Sequence, residues 1–371
     1  MSKVLVIGAL PESLLNFRGD LLRSLIAGGH KVIAMADEAE PAFTSRLNEI
    51  GVEFRSFPVQ RNGMNPVKDL TTFFALRDQF REQKPDVVLA YTIKPVIWGG
   101  LALYGLPRTR FIALITGLGF AFQRGGLLRN SLTKLVSWLY QCSLTRASQV
   151  VFQNHDNRDL FIANRIIPQM KCTVVNGSGV DLEKFKFTSS PYEGTVFLTI
   201  GRLLGEKGFR EFAHSAREIK NRYPATIFRI VGPYDPSPDG ISLTEVKQWE
   251  SEGIVEYCGA TEDVRPFIAD SHIFVLPSYH EGMPRTVLEV MSMGRPILTT
   301  DVPGCRETVI SCENGFLVPK ANTEALAERM TWFIEHRDQW QRMGLCSRKM
   351  AEDRFDVHKV NNALLEIMEL Q

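Results

Sequence analysis

TVFLTIGRLLGEKG, residues 195–208, is an apolar run that ends abruptly in a loop bounded by glycines. Apolar residues in succession suit a strand buried on both faces, as in a parallel sheet, and glycines suit the turn that leaves it. Short apolar runs separated by longer amphipathic ones continue through Thr226–Val231, Ile254–Tyr257, Ile273–Leu276 and Pro296–Thr299. The same plan occurs earlier in the chain: Val4–Ile7, a helical Phe17–Ala27, Lys31–Ala36, a helical stretch at Phe43–Ile50, then Val52–Phe57, Asp86–Tyr91, Arg110–Ile115, Gln149–Phe152 and Cys172–Val175. Such alternation builds β-α-β units, so the chain is α/β and carries a doubly wound plan twice.

A length of 371 residues leaves room for two domains. Thr188, Ser189, Ser190, Pro191 and Gly194 crowd Lys186–Gly194, a linker composition. We therefore expect domains at 1–187 and 195–354, with 355–371 returning to the first half through Phe355, Val360, Leu364, Leu365 and Met368. Forty-three basic against 42 acidic residues give a net charge of +1, which excludes a global field for nucleic acid. The opening MSKVLVIGAL lacks the pattern of a signal peptide, Pro95–Pro107 is too short to span a bilayer, and the six cysteines form no C-x-x-C pair. A cytoplasmic protein with unpaired thiols is expected.

In open parallel sheets ligands bind beyond the carboxyl ends of the strands. After Thr195–Ile200 come Gly201, Arg202, Glu206, Lys207 and Gly208. There a guanidinium fork and an ammonium point charge suit a diphosphate leaving group, and the glycines suit close backbone approach. After Ile273–Leu276 come His280, Glu281, Gly282, Met283, Pro284 and, one turn into a helix, Glu289. Gly282 permits an unusual backbone angle, Pro284 suits the first helical position, and amides at such a start can face phosphate. The carboxylates can accept hydrogen bonds from sugar or ribose hydroxyls. No D-x-D follows a strand pattern and no His/Cys/Asp cluster has metal spacing, so no metal is expected.

The Glu281-x7-Glu289 signature with the Gly201-Arg202…Glu206-Lys207-Gly208 loop resembles the family-4 retaining glycosyltransferases of GT-B fold, over essentially the whole chain. Asn16-Phe17-Arg18-Gly19, Ile115-Thr116-Gly117-Leu118-Gly119 and Pro303-Gly304-Cys305-Arg306-Glu307 resemble the bacterial branch that extends lipid-linked oligosaccharides, often with N-acetylhexosamines. The resemblance implies two Rossmann-like domains facing an interdomain cleft, with Arg202 and Lys207 on the donor diphosphate and Glu289 on the ribose. It assigns Glu281, with the Gly282–Pro284 backbone, to the donor sugar and phosphate. Glu281, Arg202 and Lys207 are then the catalytic candidates, and Gly201, Gly282, Met283, Pro284 and Glu289 complete the donor site. Arg18, Gly19, Thr116 and Gly117 are candidates for acceptor or phosphate contact. The histidine that the family often carries near the donor sugar has no equivalent in 115–119; His155 and His280 are the nearest by motif context.

The implied reaction moves a hexose or N-acetylhexosamine from a UDP-sugar, GalNAc or GlcNAc favoured, to an undecaprenyl-diphosphate-linked glycan in surface polysaccharide or glycoprotein glycan assembly. The configuration is retained by same-face substitution and no metal is needed. The competing expectation is a nucleotide-sugar epimerase, which would convert donor without acceptor. A nicotinamide dehydrogenase is a weaker alternative, because the first strand is followed by no G-x-G-x-x-G turn. Gln123–Arg146 joins Arg124, Arg129, Lys134 and Arg146 to an apolar face that includes Leu135 and Trp138, while Lys94, Trp98, Arg108 and Arg110 extend the surface. A basic amphipathic helix of this kind suits peripheral binding to the inner leaflet of the cytoplasmic membrane.

Overall fold

The computed structural model describes residues 1–60, 63, 65–106, 108–118, 122, 127–191 and 193–371, the side chains of 127–129 excepted. Two compact units emerge: Met1–Ser178 with His358–Gln371, and Gly179–Val357.

Unit 1 begins β1 (Lys3–Ile7), α1 (Pro11–Ala27), β2 (Lys31–Ala36), α2 (Pro41–Glu49), β3 (Glu53–Ser56), α3 (Pro66–Gln83) and β4 (Val87–Tyr91). It continues α4 (Ile93–Ala102), β5 (Arg110–Ile115), α5 (Leu127–Leu144), β6 (Ala147–Phe152), α6 (His155–Ala163) and β7 (Cys172–Val174). Its strands form one parallel sheet in the order β3-β2-β1-β4-β5-β6-β7. Along β1, Leu5 and Ile7 enter one core with Val88 and Phe111, while Val4 and Val6 enter the other with Leu21 and Leu89. Both faces are dry, which is why the run shows no polar alternation. α1 starts at Pro11, ahead of the expected Phe17, because proline at the first position needs no amide partner. Asn16–Gly19 therefore lies within a helix.

Unit 2 runs β8 (Val196–Ile200), α7 (Phe209–Arg222), β9 (Ile227–Val231), α8 (Leu243–Ser251), β10 (Glu256–Tyr257), α9 (Arg265–Ala269) and β11 (Ile273–Leu276). It ends with α10 (Arg285–Ser292), β12 (Ile297–Thr300), β13 (Gly315–Val318), α11 (Thr323–Glu335) and α12 (Trp340–Met350). The sheet order is β10-β9-β8-β11-β12-β13, so the order reverses between β8 and β11. β13 was not anticipated, being four residues led by a glycine.

The units divide at Ser178/Gly179, ahead of the 188–194 stretch. Val180 and Phe185 are buried with Leu276, Leu288 and Phe355, and Val180 and Phe355–Val357 exchange backbone hydrogen bonds of 2.8 and 3.0 Å. Phe355, expected against the first half, is thus part of unit 2. In α13 (Val357–Met368), by contrast, Val360, Leu364 and Met368 pack with Val4, Leu21 and Val175 of unit 1.

His272 ties Pro191 and Val196 to the start of β11. Its Nδ1 accepts the Val196 amide at 3.0 Å, so the proton sits on Nε2, which donates to the Pro191 carbonyl at 3.2 Å. Burial depresses its pKa below 6.5. Stability from this neutral ring is present above the unfolded pKa and is lost as pH falls through the folded one. The melting temperature should therefore fall as pH drops below about 6.5, with a shallower slope in His272→Gln, read by scanning calorimetry. Equal slopes would refute this.

Candidate functional site

The site in unit 2 grows from the strand-order reversal, where the loops after β8 and β11 lie side by side. The first loop makes a short 3-10 turn at Gly205–Lys207 and ends at Gly208, φ 75°, from which α7 departs. A Cβ on Gly208 would stand 2.2 Å from the Pro277 carbonyl oxygen, so its glycine serves contact between two loops rather than approach to a ligand. Gly304, φ 83°, has the same purpose: a Cβ there would meet the carbonyls of Glu281 and Gly282 at 2.7 and 2.6 Å. The Tyr279 amide donates to the Glu206 carbonyl at 2.8 Å and the Glu281 amide to Pro303 at 3.2 Å, completing a three-loop platform.

Three ion pairs stand on that platform. Lys207 Nζ lies 2.5 Å from Glu281 Oε1, whose carboxylate also accepts the Ser278 hydroxyl at 2.8 Å. His280 Nε2 lies 3.0 Å from Glu206 Oε2. That bond holds the Glu206 carboxyl below its ordinary range and raises the His280 imidazole. Arg202 Nη1 reaches Asp235 Oδ2 at 2.6 Å. The sequence offered Arg202, Lys207 and Glu281 as separate signals; here Lys207 and Glu281 are partners. Sequence reasoning missed Asp235, and the pairing of Glu206 with His280, because both come from loops that meet only in the fold.

α10 starts at Arg285 with Pro284 as its cap, one residue from the expected position. Glu289 is 8% exposed, accepts Arg285 Nε at 2.9 Å, and has its pKa raised by burial. A buried carboxylate with one cationic partner still has acceptor capacity for a hydroxyl pair. Met283 packs on the core cluster beneath the loop. Thus Gly201, Arg202, Lys207, Glu281, Gly282, Met283, Pro284 and Glu289 share one end of one sheet.

In unit 1, Arg18 is buried in α1 with its guanidinium 5.2 Å from the Tyr91 ring, and a Cβ on Gly19 would touch only Arg23 Nη1, at 3.5 Å. No backbone demand explains Gly19. Thr116 and Gly117 follow β5 at its carboxyl end, half-buried; Gly119 lies outside the described residues. Tyr91 and Ser13, bonded hydroxyl to hydroxyl at 2.8 Å, were not foreseen beside Arg18. Thr92, which follows Tyr91, has φ 67°, a costly angle for a β-branched residue. His155 opens α6 in unit 1, whereas His280 belongs to the unit 2 platform.

Two family models match the chain: "Glycosyl transferase 4-like domain" over residues 17–177 and "Glycosyl transferases group 1" over 194–336. A Campylobacter jejuni N,N'-diacetylbacillosaminyl-diphospho-undecaprenol alpha-1,3-N-acetylgalactosaminyltransferase is 28% identical over 354 residues, 92% of this chain and 91% of that protein. An Escherichia coli UDP-Gal:alpha-D-GlcNAc-diphosphoundecaprenol alpha-1,3-galactosyltransferase is 27% identical over 281 residues, 70% of this chain and 69% of the other. Among solved structures, Anabaena Alr3699/HepE in complex with UDP and glucose superposes with a TM-score of 0.79 at 17% identity, covering 100% of both chains. The fold is GT-B.

Proposed function

Because the chain belongs to the glycosyl transferases of group 1 and is a glycosyltransferase, we propose that it moves a hexose or N-acetylhexosamine from a UDP-sugar to an undecaprenyl-diphosphate-linked glycan. UDP-GalNAc and UDP-GlcNAc are the favoured donors, and the anomeric configuration is retained. The observation that carries the donor side is the pairing of Arg202 and Lys207 on the loop after β8, at the reversal of strand order. Two fixed cations oppose the charge that develops on a departing diphosphate, so the reaction proceeds without a metal ion. Glu289 accepts the ribose hydroxyls, and Glu281 with the Gly282–Pro284 backbone holds the sugar and its phosphate. Arg18, Gly19, Thr116 and Gly117 serve the acceptor. The names of the Campylobacter and Escherichia relatives support the lipid-linked acceptor.

The test is product analysis with UDP-GalNAc or UDP-GlcNAc and a polyprenyl-diphosphate glycan in the presence of EDTA. A new α-linked sugar on the acceptor is expected. Conversion of donor without acceptor, inversion, or activity abolished by the chelator would each refute its part of the reading.

Among the described residues no helix is long and apolar enough to cross a membrane. We propose peripheral docking through the helix layer α3–α5, on which Leu135 and Trp138 of α5 are 53% and 56% exposed. Val67, Leu70 and Phe74 of α3, unnoticed in the sequence, add apolar surface, and Lys68 and Lys134 are exposed beside them. Lys94 and Arg110 do not extend this surface: Lys94 pairs with Asp69 at 2.6 Å and Arg110 with Glu369 at 2.5 Å, and Trp98 packs on the core. Arg124 and the side chain of Arg129 lie outside the described residues. Binding should favour anionic over neutral liposomes and weaken with salt in a flotation assay. Equal partition to both would contradict it.

A further inference from the structure

Asp235 lies on the loop after β9, and that loop is fastened to the one after β8 by its backbone. The Leu203 amide donates to the Pro233 carbonyl at 3.0 Å and the Gly205 amide to the Asp239 carbonyl at 2.8 Å; the Glu206 amide donates to Asp239 Oδ2 at 2.9 Å. One oxygen of Asp235 accepts the Ser237 amide at 2.9 Å while the other takes Arg202 Nη1 at 2.6 Å. The side chain of Asp235 is 13% exposed and that of Arg202 41%, so the carboxylate is the fixed member and the guanidinium the presented one.

An unheld arginine gives up rotamer freedom when it grips a ligand. A guanidinium carries five N–H donors, and holding it through Nη1 aims the remainder while leaving them to bind oxygens. We propose that Asp235 is the positioning residue for Arg202: it pre-orients the guanidinium for the donor diphosphate. This rests on the donor reading above and adds a residue outside the motifs that suggested it.

Asp235→Asn keeps an oxygen for the Ser237 amide and removes the charge that holds Arg202. Calorimetric titration with UDP should show about tenfold weaker binding in D235N than in the wild type, with no further loss when D235N is added to Arg202→Ala. Donor KM should rise in parallel while acceptor KM stays unchanged. A wild-type protein that binds no UDP would overturn the donor reading and this inference with it. If the wild type binds UDP, D235N binding as tightly as wild type, or D235N weakening R202A by the same factor as wild type, would overturn this inference alone.

Discussion

Replacing Lys207 with alanine should lower turnover by about 10²–10³-fold, the loss seen when one preorganised donor to a developing anion is removed. The ammonium sits 2.5 Å from Glu281 and its side chain is 20% exposed, partly withdrawn from solvent. In such a site its charge acts on a leaving diphosphate more strongly than it would in bulk water. Deleting it also strands the Glu281 carboxylate, whose side chain is 12% exposed, but the Ser278 hydroxyl at 2.8 Å remains as a donor. The expected loss of stability is therefore only about 1–2 kcal/mol, less than the loss in the transition state. Turnover measured on protein shown to be folded by circular dichroism separates the two. A K207A enzyme within threefold of wild type would remove Lys207 from the chemistry.

Replacing Arg295 with methionine should destabilise unit 2 by about 3–5 kcal/mol and lower Tm by roughly 10 °C. The side chain is 0% exposed, and its hydrogen bonds go to carbonyls and a hydroxyl rather than to a carboxylate. Its guanidinium reaches the carbonyls of Thr188, Ser189, Ile268, Ala269, Ser271 and Met293. Burial lowers its pKa to about 10, so it remains charged at neutral pH. Methionine fills comparable volume but donates nothing, leaving several buried carbonyls without partners, each costly. The same arginine explains why 188–189, with the composition of a linker, stays fixed on unit 2. A Tm within 2 °C of wild type would contradict this role.

The repeated plan was legible because strands of parallel sheets are apolar on both faces, and β1, β4, β8 and β11 are such strands. That the candidate residues of unit 2 share one sheet end was legible for a related reason: loops that follow such strands converge at the strand-order reversal. What could not be read were properties of pairing. Nothing local in Gly294-Arg295-Pro296 distinguishes a buried clamp from a surface turn, since its partners come from residues 188–189 and 268–271. Gly208 looked like a ligand-facing glycine, yet it makes room for a neighbouring loop, as Gly304 does. The domain boundary was misplaced because composition marks 188–194 as flexible, whereas the chain is committed to unit 2 from Gly179, through Val180 and Phe185.

The central claim is that Arg202 and Lys207 together hold the donor diphosphate without help from a metal. It is tested most directly by titrating UDP into the wild type and the Arg202→Ala/Lys207→Ala double variant, both in EDTA. The wild type should bind, and the double variant should bind at least about 100-fold more weakly while remaining folded. Equal affinity in the two proteins would contradict the claim.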